Sequence, residues 1–107
     1  MKYTLHGLGL ALTLALSSAA SAAGDASAGR AKGDTCLGCH GIPSYQNTYP
    51  TYRVPKLAGQ NAEYIVAALQ AYKRGERQHP TMSPQAQSMS EQDMQDIAAW
   101  ISQMEVK

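Results

Sequence analysis

Cys36, Leu37, Gly38, Cys39 and His40 form one unbroken run, and they are the residues with the most specific chemistry to offer. The chain's two thiols stand three apart, with an imidazole directly after the second. That pattern is the attachment signature of a c-type haem, in which each thiol adds to a vinyl group and the imidazole coordinates iron from the same turn of backbone. Three other chemistries draw on similar residues. A structural zinc ion needs four Cys or His ligands, and beyond the first 22 residues only His79 remains as a fourth, far outside finger spacing. A thioredoxin-like dithiol wants a strand before it and alternating strands and helices after it, and the chain offers no strand of that pattern. A plain disulfide would close a loop too small to stabilise much, and it leaves His40 without a purpose. The haem reading accounts for all three residues at once.

Composition asks for the same thing. The chain has 107 residues, room for one domain, with 44% hydrophobic residues, 7% aromatic residues and no Phe. A domain this small buries only about 60% of its unfolded surface, so a large apolar cofactor is expected to fill part of the core. Lys plus Arg number 9 against 8 Asp plus Glu. This near-neutral balance lacks the basic field of a nucleic-acid binder and the acidity of a solvating, disordered chain.

The first stretch reads as a secretory leader. Lys2 gives a positive start, Leu8 to Leu16 form a nine-residue apolar run, and Ala20-Ser21-Ala22 is a small-x-small cleavage signal. An uncleaved anchor is the competing reading, but Ser17 and Ser18 end the run short of the 18 or so residues a spanning helix wants. The expected organisation is therefore a cleaved signal peptide over 1–22, a domain over 23–107, periplasmic export and no stable membrane insertion after cleavage. Removing residues 1–22 leaves 85 residues with 8 basic against 8 acidic side chains. Exported domains of that size lean on disulfides, metals or cofactors.

The elements that must position the thiols read as helices joined by extended loops. Asp25 caps a first helix through Ala26, Ala28 and Ala31 to Thr35, with Gly29 and Gly33 on one face where another helix can approach closely. From Gly41 to Ala58 no helical period exists, only Pro43, Pro50 and Pro55 with Tyr45, Tyr49 and Tyr52 between them, an ordered loop. Its tyrosines suit either paving a flat cofactor's edge or anchoring the loop. A second helix is expected from Asn61 to Arg74, with Tyr64, Ile65, Ala68, Leu69 and Tyr72 as its apolar stripe and Gly75 as its stop. The third starts at the Ser90-x-x-Asp93 capping box and carries Met94, Ile97, Ala98, Ile101 and Met104 on one face. Between them, His79-Pro80-Thr81-Met82-Ser83-Pro84 is expected to run extended, leaving Met82 free to project inward. Glu63, Glu76, Asp93 and Asp96 read as solvated faces and caps, and no catalytic constellation stands out.

The sequence resembles the small exported class I c-type cytochromes of bacteria. The stretches that carry the resemblance are Ala28 to Lys32 leading into Cys36 to Gly41, Pro55 to Gln60, Tyr64 to Gly75, and Met82 through Trp100. It implies an all-α fold, three main helices plus loops wrapped round one haem, with haem c attached through Cys36 and Cys39. His40 and Met82 would be the axial ligands, the Pro55 carbonyl would accept a hydrogen bond from His40, and Leu57 would pack on the porphyrin. Many relatives carry an aromatic in the first helix, where this chain has small residues, and Trp100 stands where tyrosine is common. The sixth ligand can also be weighed from the residues. Met94 and Met104 fall on a core stripe, Met89 staples a helix entry, and His79 among polar residues reads as solvent-facing, which leaves Met82 first and His79 second.

Function follows from ligand type. His and Met ligation raises the reduction potential, and six-coordinate iron has no open site for substrate. The reading is a periplasmic electron carrier and not an enzyme. Its expected partners are a donor reductase or dehydrogenase and an acceptor oxidase or reductase, with no nucleic acid. The alternatives are a haem-bearing subunit of a larger exported dehydrogenase or oxidase, and a dithiol oxidoreductase using Cys36 and Cys39.

Overall fold

Residues 24–49 and 51–106 are described by the structure, a computed structural model, so the leader and its cleavage site lie outside the described residues. Five helices and one two-stranded antiparallel sheet form among them. Helix α1 spans Ala26–Lys32, and the Asp25 carboxylate caps it by accepting from the Ser27 and Ala28 amides at 2.8 and 3.4 Å. Gly33 ends α1 and begins α2, Asp34–His40, so the single helix expected here is two, and the second carries the Cys-x-x-Cys-His run.

Packing explains the two glycines. A Cβ on Gly33 would come within 2.7 Å of the Trp100 ring, and one on Gly29 would lie 1.9 Å from the Asp96 carbonyl oxygen. Glycine lets α1 sit directly on the last helix, α5, Glu91–Ser102, with Trp100 filling the space above both positions. Helix α5 starts at a full capping box, with the Asp93 amide on Ser90 Oγ at 3.1 Å and the Ser90 amide on Asp93 Oδ2 at 2.9 Å.

Asp96 departs from its expected place on a solvated face. It is 3% exposed and accepts from the Asp25 amide at 2.8 Å, Gln92 Nε2 at 2.8 Å and Lys32 Nζ at 2.7 Å. Lys32 also reaches Asp93 at 2.8 Å. The lysine ammonium, helped by the Asp25 amide and Gln92, holds the Asp96 carboxyl down at about 2. A buried carboxylate survives here because every partner needed to offset its desolvation comes from α1 or its own helix.

Helix α3, Ala62–Arg74, is capped by Asn61 Oδ1, which accepts from the Tyr64 amide at 2.9 Å, and it stops at Gly75 in the left-handed region. Its buried face is Ile65, Val66 and Leu69, packed on Met94, Ile97, Ala98 and Ile101 of α5. Tyr64, expected on that stripe, is 52% exposed, and Val66 takes the inner position.

Two segments expected to lack regular secondary structure form it. Strand β1, Gln46–Thr48, pairs with β2, Thr51–Arg53, in the register Gln46↔Arg53, Asn47↔Tyr52, Thr48↔Thr51. Helix α4, Met82–Gln87, replaces the extended run through Met82. Pro84 falls in the first turn of that span. Among the described residues no helix is long and apolar enough to cross a membrane.

Candidate functional site

Helix α2 sets the site's geometry, because residues three and four apart in a helix share one face. Cys36, Cys39 and His40 are such a set, and all three are half-buried and line one cavity of about 410 Å³. Both cysteines are free thiols, and burial pushes the Cys36 thiol up.

His40 is held from behind. Its Nδ1 lies 2.7 Å from the Pro55 carbonyl oxygen. A carbonyl only accepts, so Nδ1 carries the proton and Nε2 keeps its lone pair. Pro55 is itself placed by the sheet that ends at Arg53, where the Val54 amide donates to the Tyr45 carbonyl at 3.0 Å. The following stretch is tied to α5 by the Gly59 amide on the Ile101 carbonyl at 3.0 Å, with Gly59 at φ 75°. Leu57, between these two anchors, faces the same cavity.

Met82 opens α4 and lines that cavity too, half-buried. Ile65 and Leu69 of α3 and Ile97 and Ile101 of α5 close its floor. The predicted site residues Cys36, Cys39, His40, Pro55, Leu57 and Met82 thus converge on one space, although they come from three separate parts of the chain.

His79 has the opposite tautomer to His40. Its Nδ1 receives the Thr81 and Met82 amides at 3.2 and 3.3 Å, so Nδ1 is bare and the neutral ring's proton sits on Nε2. It is half-buried with its ring on the edge of Tyr52, centroids 4.5 Å apart, and not a solvent-facing loop residue. Tyr45 and Tyr52 line the cavity, while Tyr49 at the sheet's turn is 93% exposed and takes neither of the two expected roles. The sequence reading also missed Asn47 and Arg53 as lining residues, since the short, polar strands that carry them have no apolar alternation to reveal them.

The residues present fit a haem. Among the described residues eight apolar side chains form the buried core, and beside it lies a largely apolar cavity in the size range of cofactor sites. On its wall stand two thiols, an imidazole with a bare Nε2 fixed by its other nitrogen, and a thioether, the donor set that tethers and ligates haem iron.

Comparison with known proteins bears directly on this fit. Residues 24–105 match the family described as Cytochrome c. The chain is 43% identical over 86 residues to cytochrome c-554(548) of Halomonas halodenitrificans, covering 78% of this chain and 100% of that protein. It is 41% identical over 93 residues to cytochrome c4 of Pseudomonas aeruginosa, covering 87% of this chain but 45% of that protein, so it spans about half the length of the cytochrome c4 relatives. The crystal structure of reduced recombinant cytochrome c4 from Pseudomonas stutzeri superposes with a TM-score of 0.53 at 24% identity, over 78% of this chain and 52% of that one, a likeness of fold. With the matched residues running from the start of α1 past the end of α5, the chain belongs to the cytochrome c family of haem-bearing electron carriers.

Proposed function

We propose that this chain is a single-haem, stand-alone electron carrier working in the periplasm after loss of its first 22 residues, and that it transforms no substrate. The observation that carries the reading is the 2.7 Å contact from His40 Nδ1 to the Pro55 carbonyl, on the wall of a cavity shared with Cys36, Cys39 and Met82. A haem held there would supply one-electron exchange between ferrous and ferric iron.

Each protein group then has a task. Cys36 and Cys39 form the two thioethers. Pro55 fixes the His40 ring and makes its free nitrogen a better donor. Met82 supplies a weak thioether ligand that favours the ferrous state and so raises the potential. His79, with its Nε2 protonated, is a poorer candidate for the iron. Leu57, Ile65, Leu69, Ile97 and Ile101 keep water from the buried part of the site. With His40 and Met82 as its two protein ligands, a bound haem would offer no iron site to a substrate, which supports a carrier over an enzyme. A match that covers 100% of one relative's length supports a free carrier over a fixed subunit. Its partners are a donor reductase or dehydrogenase and an acceptor oxidase or reductase.

The test is Met82→Ala in the haem-loaded protein. The far-red sulfur-to-iron absorption of the oxidised form is lost, the potential falls, and cyanide binds the ferric iron. If the variant keeps that band while Met89→Ala loses it, the ligand assignment is wrong.

A further inference from the structure

The residues that lead into α4 are arranged as a helix start one turn earlier than its regular span. The Ser83 amide donates to the His79 carbonyl at 3.0 Å and the Gln85 amide to the Thr81 carbonyl at 3.3 Å, so helical hydrogen bonding reaches back to His79. Pro80 then occupies the first helical position, where its missing amide costs nothing. Thr81 and Met82 follow with amides that have no helical carbonyl to meet. Thr81 has no side-chain capping contact of its own. His79 Nδ1 fills that role, accepting both amides at 3.2 and 3.3 Å, and the Ser83 hydroxyl accepts from the His79 amide at 3.1 Å. This is the contact pattern of an N-cap aspartate, asparagine or serine, made by an imidazole.

The cap is itself braced. The Tyr52 ring meets His79 edge-on with centroids 4.5 Å apart, and the Tyr52 hydroxyl is hydrogen-bonded to Thr81 Oγ1. The sheet, the imidazole and the first turn of α4 therefore form one unit whose innermost backbone group is the amide of Met82.

We propose that His79 is a positioning residue for Met82: as an N-cap it holds the backbone from which the Met82 sulfur is presented to the cavity, with Tyr52 fixing the ring. This rests on Met82 as the axial ligand, and it assigns His79 a task other than coordination. Cyanide reaches ferric iron only when that sulfur has left, so a loosened Met82 backbone is read directly as faster cyanide binding.

The experiment compares His79→Asn with His79→Gln in the haem-loaded protein. Both introduce a neutral amide and both lose the ring contact with Tyr52, but only asparagine has the length of an N-cap. His79→Gln should speed cyanide association about five-fold, the size of effect expected for one lost cap, with a weakened sulfur-to-iron band and a lowered potential. His79→Asn should stay near the unmodified protein in all three. A glutamine variant that matches the unmodified protein, or an asparagine variant as perturbed as the glutamine one, overturns the proposal. Met82→Ala, measured alongside, separates the two levels: if it retains the sulfur band, the ligand assignment fails and the positioning role falls with it.

Discussion

Gly29→Ala gives opposite signs depending on whether local or tertiary physics decides. Glycine inside a helix costs about 1 kcal/mol relative to alanine, so helix propensity alone predicts that the substitution stabilises α1. The structure predicts the reverse. The added Cβ would stand 1.9 Å from the Asp96 carbonyl oxygen and 2.9 Å from Trp100 Cβ. The first of these is backbone in the middle of α5, so no side chain can swing aside. The two helices would have to part by about 1.5 Å to reach ordinary contact distance, opening the interface that Trp100 and Asp96 close. Overpacking of this kind costs typically 1–3 kcal/mol, and a rigid backbone obstacle puts it at the upper end. Set against the propensity gain, the net destabilisation is about 2 kcal/mol, a fall of roughly 10 °C in Tm for a domain of this size. Thermal unfolding of the haem-loaded protein followed by far-ultraviolet circular dichroism measures it. Ala31→Gly, at an exposed position of α1, is the companion variant and should cost about 1 kcal/mol by propensity alone. Gly29 lies outside the cavity wall, so the haem spectrum should be unchanged. A Tm for Gly29→Ala at or above that of the unmodified protein would refute the close-packing account.

Acid should unfold the protein through Asp93 and Asp96. Both carboxyls are held down at about 2, with Lys32 the largest cause for each. Their depressed folded pKa values mean that the stability they lend is complete above the unfolded value of about 4 and is lost as pH falls towards 2. Asp96→Asn should flatten the pH dependence of Tm in that window; an unchanged slope would show that the buried carboxylate is not linked to folding. Salt should have little influence on partner reactions, since Arg74 is paired with Glu76 at 2.8 Å, Arg77 lies 4.8 Å over the Tyr72 ring and Lys73 bonds the Met89 carbonyl. A steep fall in the bimolecular rate from low to physiological ionic strength would contradict this. Under the proposed function, Cys36→Ala or Cys39→Ala should leave little stable protein, because a tethered haem would complete a core that has eight buried apolar residues among those described; a compact helical haem-free protein at normal yield would show the opposite.

Several parts of this fold are written locally and were readable in the sequence. Helices α3 and α5 carry their own start and stop signals, Asn61 with Gly75 and Ser90 with Asp93, and each has a face of apolar residues at helical spacing. The Cys36, Cys39 and His40 run is legible because one helical face suffices to aim all three. What escaped depends on distant partners. The sheet has three residues per strand, too few to show a pattern, and its order comes from contacts such as Tyr52 on Thr81. Helix α4 is six residues long with a proline inside it, and the side chain that accepts the amides at its start is a histidine, a residue that sequence rules do not count among caps. Burial of Asp96 is set by Lys32, 64 residues away along the chain, and by two glycines whose absent side chains admit the helix bearing it.

The central claim is that this chain carries one covalently bound haem ligated by His40 and Met82. Optical spectra of the purified exported protein, reduced and oxidised, combined with its intact mass, test it most directly. The expected result is a mass equal to the chain without residues 1–22 plus one haem, a reduced spectrum of c-type character that survives acid extraction, and a sulfur-to-iron band in the oxidised form. A colourless protein with two free thiols, or a haem protein whose oxidised spectrum lacks the sulfur band, would contradict it.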